Sequence, residues 1–196
     1  MTKIKFCGLK TLYDIYAANE IFPDYVGFVF APKSSRQITY AQAEKFRAAL
    51  SKKILAVGVF VDENFYTVAN LLNEGIIDMA QLHGDETDSY IQILRGLTNK
   101  PIIKTFDEKN LELADYSLAD FVLLDAGKGS GKTFDWRKIN LQRKYFLAGG
   151  LNAENVADAI KFLNPFAVDV SSGIETGGRK DFEKMRAFAE AVRKIF

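Results

Sequence analysis

The stretch from Lys3 to Phe30, KIKFCGLKTLYDIYAANEIFPDYVGFVF, decides the fold. It begins and ends with runs rich in β-branched and aromatic residues, Lys3 to Cys7 and Tyr25 to Phe30, which are typical of buried strands. Between them, helical spacing starts at Thr11, a residue type that caps helices, and stops before Pro23. A strand, a helix and a second strand in this order indicate one unit of a parallel sheet.

The same unit recurs along the whole chain. Eight strand-like runs alternate with stretches of helical spacing. The runs are Lys3 to Cys7, Tyr25 to Phe30, Leu55 to Val61, Met79 to His83, Ile102 to Phe106, Phe121 to Asp125, Tyr145 to Gly149 and Ala167 to Ser171. An eightfold alternation without a break in composition predicts a single α/β domain over residues 1–196, and its count favours a closed (β/α)₈ TIM barrel over an open doubly wound sheet.

Helix start signals lie between these runs. Thr39 with Gln42 matches a capping box, and Asp85 is expected to open the helix after the fourth run. The fifth and sixth helices, Lys109 to Ala114 and Asp135 to Leu141, are predicted to be short.

Composition excludes several classes of protein. Of 196 residues, 48% are hydrophobic and the formal net charge is +1, which favours a globular domain with a small ligand and argues against nucleic acid as a partner. A single cysteine, Cys7, forbids an internal disulfide, and a single histidine, His83, argues against a metal site built on two imidazoles. No run approaches the ~18 apolar residues of a membrane span, and residues 1–5 lack a signal-peptide core, so we expect a cytoplasmic protein without a membrane partner.

Side-chain alternation along the strands predicts which residues point into the barrel. The apolar side of each strand should face the helices, so the other side should face the barrel axis. This inward set is Lys5, Cys7, Gln81, His83, Lys104, Asp125, Asp169 and Ser171. Several of these residues end their strands, where barrel enzymes build their active sites. The competing interpretation, strongest for Lys5 and Gln81, is that some are mutually satisfied polar groups of the core.

Two glycine-bearing loops are predicted to bind phosphate. They are Ala148 to Asn152 after the seventh run and Ser171 to Glu175 after the eighth, the places where barrels frequently hold a phosphate. Glycine lets backbone N–H groups approach an oxyanion closely. The alternative is that both are ordinary turns.

A third segment, Ala126 to Thr133, resembles a P-loop and raises the alternative of a nucleotide-binding protein that uses Lys132 and Thr133. A P-loop must open directly into a substantial helix, and the chain leaves room here for only a short one. We interpret the segment as a glycine-rich loop that could close over a ligand.

Taken together, eight segments in order resemble the phosphoribosylanthranilate isomerase family. They are KFCGL (5–9), VGFVFAPKSSR (26–36), VGVFV (57–61), QLHGD (81–85), LD (124–125), GKTFDW (131–136), LAGGL (147–151) and VDVSSGIE (168–175). The chain departs from the family pattern at Lys10, where Thr or a similar residue is usual, and in the short loop over residues 126–130.

The resemblance implies a cofactor-free and metal-free isomerase of tryptophan biosynthesis. Such an enzyme converts N-(5-phosphoribosyl)anthranilate to 1-(2-carboxyphenylamino)-1-deoxyribulose 5-phosphate by general acid–base catalysis. It implies Asp125 as the acid, Cys7 as the base and Arg36 as the binder of the anthranilate carboxylate. The implied phosphate-binding residues are Gly149, Gly150, Ser172 and Gly173, and the implied pocket-lining residues are His83 and Asp169. The expected partner is the small phosphosugar, and the expected state is a monomer, with a homodimer as the alternative.

Other phosphosugar barrels are the rivals to this assignment. A two-aspartate Amadori isomerase of histidine biosynthesis would carry a carboxylate in place of Cys7. An indole-forming synthase would share the phosphate loops. A non-catalytic phosphate-binding barrel would have no use for Cys7, Asp125 and Arg36 together.

Overall fold

The computed structural model describes residues 1–125, 136 and 139–195. Over these residues, eight parallel strands form a closed barrel in which each strand pairs with the next and the eighth pairs with the first. The strands are β1 (Lys3–Cys7), β2 (Tyr25–Val29), β3 (Leu55–Phe60), β4 (Met79–Leu82), β5 (Ile102–Phe106), β6 (Phe121–Asp125), β7 (Tyr145–Ala148) and β8 (Ala167–Val170). The predicted (β/α)₈ barrel is therefore confirmed, and several strands end one residue earlier than predicted.

Helices surround the barrel in the expected order. They are α1 (Leu12–Ile21), α2 (Tyr40–Ala49), α3 (Phe65–Asn73), α4 (Asp88–Leu97), α5 (Val156–Leu163) and α6 (Phe182–Arg193). A 3₁₀ segment, Glu108–Tyr116, stands where a short helix was predicted after β5. The P-loop-like stretch over residues 126–133 lies outside the described residues, as do positions 135, 137 and 138 of the short helix predicted over residues 135–141.

Local hydrogen bonds explain where these helices begin. The capping box of Thr39 and Gln42 is present, because each side chain accepts from the other residue's backbone N–H. The prediction that Asp85 opens α4 is wrong, since Thr87 is the N-cap. The backbone N–H of Asp85 donates instead to Asp62 Oδ1 at 2.7 Å, in the loop after β3. No helix among the described residues is long and apolar enough to cross a membrane.

The core has two layers. An outer layer fills the space between the strands and the helices, and includes Phe6, Phe28 and Phe188. A smaller inner cluster fills the barrel axis with apolar side chains, among them Met79 and Phe146. This inner cluster forms an apolar layer beneath the polar residues that end several of the strands.

One residue of the predicted inward set is placed wrongly. Lys104 lies on the outer side of β5, where its ammonium group donates to Glu86 Oε2 at 2.9 Å and to the Gly84 carbonyl at 2.6 Å. Its neighbours Ile103 and Thr105 face the axis instead; Ile103 belongs to the inner cluster, and Thr105 Oγ1 lies 3.3 Å from a ring nitrogen of His83. The outward lysine is tolerated because its buried charge is paired and hydrogen-bonded.

Candidate active site

A cavity of about 490 Å³ opens at the carboxyl ends of the strands. Its lining includes eight of the nine predicted site residues: Cys7, Arg36, His83, Asp125, Gly149, Gly150, Asp169 and Ser172. The ninth, Gly173, lies next to Ser172 and packs against the loop that carries the two glycines. The structure therefore brings residues from six different strand ends and loops to one site.

Cys7 is the last residue of β1 and pairs with Gly27 of β2. A Cβ atom built on Gly27 would stand 2.7 Å from Cys7 Sγ, so the absence of a side chain at this position makes room for the thiol. Burial raises the pKa of the Cys7 thiol, and the positive charges of Lys5 and Lys180 oppose that shift. The same charges favour the thiolate once it forms.

Lys5 and Asp169 form an ion pair beneath Cys7. The Lys5 ammonium donates to Asp169 Oδ1 at 2.9 Å, and its side chain is fully buried. Burial acts to lower the pKa of Lys5, but the charges of Asp169 and of the Cys7 thiolate outweigh it and raise the pKa. Lys5 is therefore a permanent cation next to the thiol, and Asp169 is its counter-ion as well as a cavity wall.

Asp125 ends β6 and faces His83 across the cavity. His83 Nε2 lies 3.6 Å from Asp125 Oδ2. The amide Nε2 of Gln81 lies 3.0 Å from His83 Nδ1, and Thr105 Oγ1 lies 3.3 Å from the same ring nitrogen. Burial lowers the pKa of His83 despite the opposing charge of Asp125, so the ring is neutral near pH 7.

The loops after β7 and β8 pack against each other. Gly149 and Gly150 have φ angles of 93° and 65°, which glycine adopts without strain. A Cβ atom on Gly173 would lie 1.9 Å from the carbonyl oxygen of Leu151, so the second loop requires glycine for this close approach. Two closely packed loops with exposed backbone form a concave surface suited to an oxyanion.

Arg36 extends from the loop after β2 to Glu175, which follows the loop after β8. Its Nε donates to Glu175 Oε1 at 2.7 Å and its Nη2 to Glu175 Oε2 at 2.8 Å. Lys180 also donates to Glu175 Oε1, at 2.7 Å. Burial acts to raise the pKa of Glu175, but the hydrogen bonds from Arg36 and Lys180 prevail and lower it to about 2.

Glu175 and Lys180 were not predicted as site residues. They lie opposite each other in a small hairpin after β8, formed by β9 (Glu175–Thr176) and β10 (Arg179–Lys180). Gly177 and Gly178 form its turn with φ angles of 59° and 74°. A glycine pair with two positive φ angles is a hairpin turn signal, and it could have revealed this element in the sequence.

Known proteins resemble this chain over its whole length. The family model of N-(5'phosphoribosyl)anthranilate (PRA) isomerase matches residues 4–191. A relative named N-(5'-phosphoribosyl)anthranilate isomerase, from Thermoanaerobacter sp. (strain X514), is 47% identical, and the match covers 100% of both chains. The crystal structure of phosphoribosyl anthranilate isomerase from Thermotoga maritima is 35% identical with a TM-score of 0.89, covering 99% of this chain and 100% of that one.

A further solved structure of this isomerase contains a bound ligand. It is described as a complex with reduced 1-(o-carboxyphenylamino)-1-deoxyribulose 5-phosphate. It is 34% identical to this chain with a TM-score of 0.87, covering 99% of this chain and 100% of that one. From the full-length family match and the shared barrel, the chain belongs to the N-(5'-phosphoribosyl)anthranilate isomerase family.

Proposed function

We propose that this protein catalyses the Amadori rearrangement of N-(5-phosphoribosyl)anthranilate to 1-(2-carboxyphenylamino)-1-deoxyribulose 5-phosphate in tryptophan biosynthesis. The observation that carries the proposal is that Cys7, Asp125 and Arg36 line one cavity beside the two glycine loops. Membership of the family supports the same reaction. A thiol, a carboxyl group, a guanidinium and an oxyanion surface are the groups that this substrate and this reaction require.

Asp125 serves as the general acid. It donates a proton to the furanose ring oxygen while the bond between that oxygen and the first ribose carbon breaks, which leaves an iminium ion and an open chain. The ring of His83, with its Nε2 at 3.6 Å from Asp125 Oδ2, borders the carboxylate that forms. His83 is thus assigned to line the pocket beside the acid.

Cys7 serves as the general base. Its thiolate removes the proton from the second ribose carbon, and the electron pair of that C–H bond neutralises the iminium ion to give the enol form of the product. Tautomerisation then gives the ketone. The Lys5 ammonium, held by Asp169, stabilises the thiolate that this step requires.

The two charged ends of the substrate bind at two different parts of the cavity. The phosphate lies against the loop backbone at Gly149, Gly150, Ser172 and Gly173, and the anthranilate carboxylate lies at Arg36. A relative's complex with a reduced form of the product supports a ligand of this class at this family's site.

The test is direct turnover. Freshly made phosphoribosylanthranilate is mixed with the purified protein, and the decay of its fluorescence is followed against a blank without protein. We expect a decay that saturates with substrate and falls at least ~100-fold in both the Cys7→Ala and the Asp125→Asn variants. No decay with folded wild-type protein would overturn the proposed function, and near-normal decay in either variant would overturn that residue's role.

Location and assembly are further parts of the proposal. We propose that the enzyme acts in the cytoplasm as a monomer. Light scattering at the assay concentration distinguishes the monomer from the alternative homodimer, and cell fractionation tests the location.

A further inference from the structure

The guanidinium of Arg36 has two edges that can each bind a carboxylate, and one is already occupied. Its Nε and Nη2 atoms donate to the two carboxylate oxygens of Glu175, at 2.7 and 2.8 Å. A guanidinium carries five N–H donors, so both protons of Nη1 and one of Nη2 remain for a second acceptor. The Nη1–Nη2 edge is therefore the part of Arg36 that can face a ligand.

Among the side chains of Arg36, Glu175 and Lys180 there is an excess of one positive charge. Arg36 and Glu175 neutralise each other, and Lys180 adds a second cation at 2.7 Å from Glu175 Oε1. The side chains of Lys180 and Glu175 are 1% and 8% exposed, whereas that of Arg36 is 28% exposed and lines the cavity. The buried pair thus supports an accessible guanidinium that keeps its attraction for an anion.

The fold holds this trio in one arrangement. Glu175 and Lys180 are cross-strand partners in the hairpin, and Lys180 also donates to the Ser171 carbonyl at 3.0 Å. On the other side, the stem of Arg36 passes over Gly8, where an added Cβ would lie 2.4 Å from Arg36 Cδ. Gly8 therefore confines the stem of the Arg36 side chain, and Glu175 holds its guanidinium.

We propose that Glu175 is the positioning residue of the carboxylate subsite. It holds Arg36 by one edge so that the Nη1–Nη2 edge faces the carboxylate of the substrate, and Lys180 supplies the charge that Glu175 would otherwise cancel. The proposal rests on the proposed function, because it requires a substrate with a carboxylate at Arg36. It adds a specificity role to two residues outside the acid–base pair.

The variant Glu175→Gln separates positioning from simple electrostatics. Removing the negative charge makes the subsite more cationic, so attraction alone predicts a lower KM. Loss of the bidentate contact frees Arg36, so positioning predicts a KM at least about tenfold higher with kcat within about threefold. A KM that is unchanged or lower in the folded variant would overturn the proposal.

The variant Glu175→Gln leaves Lys180 buried without its counter-ion and could fail to fold for that reason. A second variant covers this case. The double variant Glu175→Gln/Lys180→Met keeps the net charge of the subsite at its wild-type value while it removes the bidentate contact to Arg36, together with the hydrogen bond from Lys180 to the Ser171 carbonyl. The same rise in KM is expected, and a wild-type KM would overturn the proposal. Glu183→Gln is the matched control, since Glu183 is exposed on α6 and pairs with Arg186; its KM should stay within about twofold.

A double-mutant cycle tests whether the effect of Glu175 on KM depends on Arg36, which a merely structural role of Glu175 does not require. In an Arg36→Met background, Glu175→Gln should not raise KM any further, because there is no guanidinium left to position. Additive effects of the two substitutions would overturn the proposal. Thermal melting of each variant confirms that folded protein is compared.

Binding measurements separate this proposal from the proposed function. The probes are reduced 1-(o-carboxyphenylamino)-1-deoxyribulose 5-phosphate and the same compound without its carboxyl group. Wild-type protein should prefer the carboxylated probe by at least about tenfold, and Glu175→Gln should lose most of that preference. If wild-type protein binds neither probe, the proposed function fails; if it binds both and the preference survives in Glu175→Gln, only the positioning role fails.

Discussion

Replacing Gly27 by alanine should displace the catalytic thiol without breaking the barrel. Gly27 pairs with Cys7 across β1 and β2, and a Cβ atom at this position would lie 2.7 Å from Cys7 Sγ and 3.1 Å from Cys7 Cα. An ordinary contact is about 3.5–4.0 Å, so Sγ must move by roughly 1 Å. Because a misplacement of about 1 Å can cost ~10²-fold in rate, we expect kcat to fall about 100-fold.

The stability cost of the same change is expected to be moderate. Overpacking a well-packed site typically costs about 1–3 kcal/mol, and for a chain of this size each kcal/mol lowers Tm by about 2–4 °C. Turnover of phosphoribosylanthranilate is measured well below the Tm of the variant, so that loss of activity is not loss of fold. The Tm is read from circular dichroism of the same sample.

Two further glycine variants are the controls. Gly58→Ala in β3 overpacks the outer core, where the new Cβ would meet Ile77 Cδ1 at 2.6 Å, so it should lower Tm and leave kcat unchanged. Gly96→Ala in α4 meets no atom within 4 Å and should raise stability by about 0.5–1 kcal/mol. If Gly27→Ala kept kcat within about threefold of wild type, the placement of the base at Cys7 would be refuted.

Three further outcomes test the electrostatics. Burial raises the pKa of Cys7, so the thiolate fraction should grow about tenfold per pH unit through the neutral range, and the rate at which iodoacetamide alkylates this single cysteine should rise with it; an alkylation rate independent of pH there would contradict the raised pKa. Burial acts to raise the pKa of Glu175, but its hydrogen bonds lower that pKa from the ordinary 4.5 to about 2. The carboxylate therefore contributes its full stability above pH 4.5, and this contribution is lost as the pH falls towards 2. The Tm of Glu175→Gln should depend less on pH across that window than the Tm of wild type, and equal slopes would argue against the pairing. Lys5→Met should destabilise the fold by about 3–5 kcal/mol because it leaves Asp169 buried without its partner, whereas denaturant unfolding that shows a loss under about 1 kcal/mol would mean that Asp169 is solvated.

The barrel could be predicted because its signal is repeated and local. Each run such as Lys3–Cys7 is short, rich in β-branched or aromatic residues and followed by helical spacing. Cys7 and Asp125 could be located for a related reason, since each is the inward, final residue of its strand and active sites of this fold lie there.

Side-chain alternation failed at β5, where both sides of the strand carry a polar residue. Lys104 was assigned to the axis, but its partner Glu86 comes from the loop after β4 and satisfies its charge on the outer side. Thr105 takes the inward place beside His83. The sequence does not show which of two adjacent polar residues will find a partner, so polarity alone cannot set the register.

The role of Glu175 could not be predicted, because its partner Arg36 is remote in sequence. Arg36 lies 139 positions away, and only the folded barrel brings the loops after β2 and β8 together. The nearby partner Lys180 depends on a two-glycine turn that gives a weak signal in isolation. Ion pairs between distant loops carry no periodicity, so sequence patterns cannot locate them.

The most direct test of the account follows one hydrogen atom. Substrate deuterated at the second ribose carbon is turned over by wild-type enzyme, Cys7→Ala and Asp125→Asn, and release of the label to water is measured by NMR. We predict release with a primary isotope effect in wild type and at least ~100-fold slower release in Cys7→Ala. Release of the label by folded Cys7→Ala at the wild-type rate would contradict this prediction.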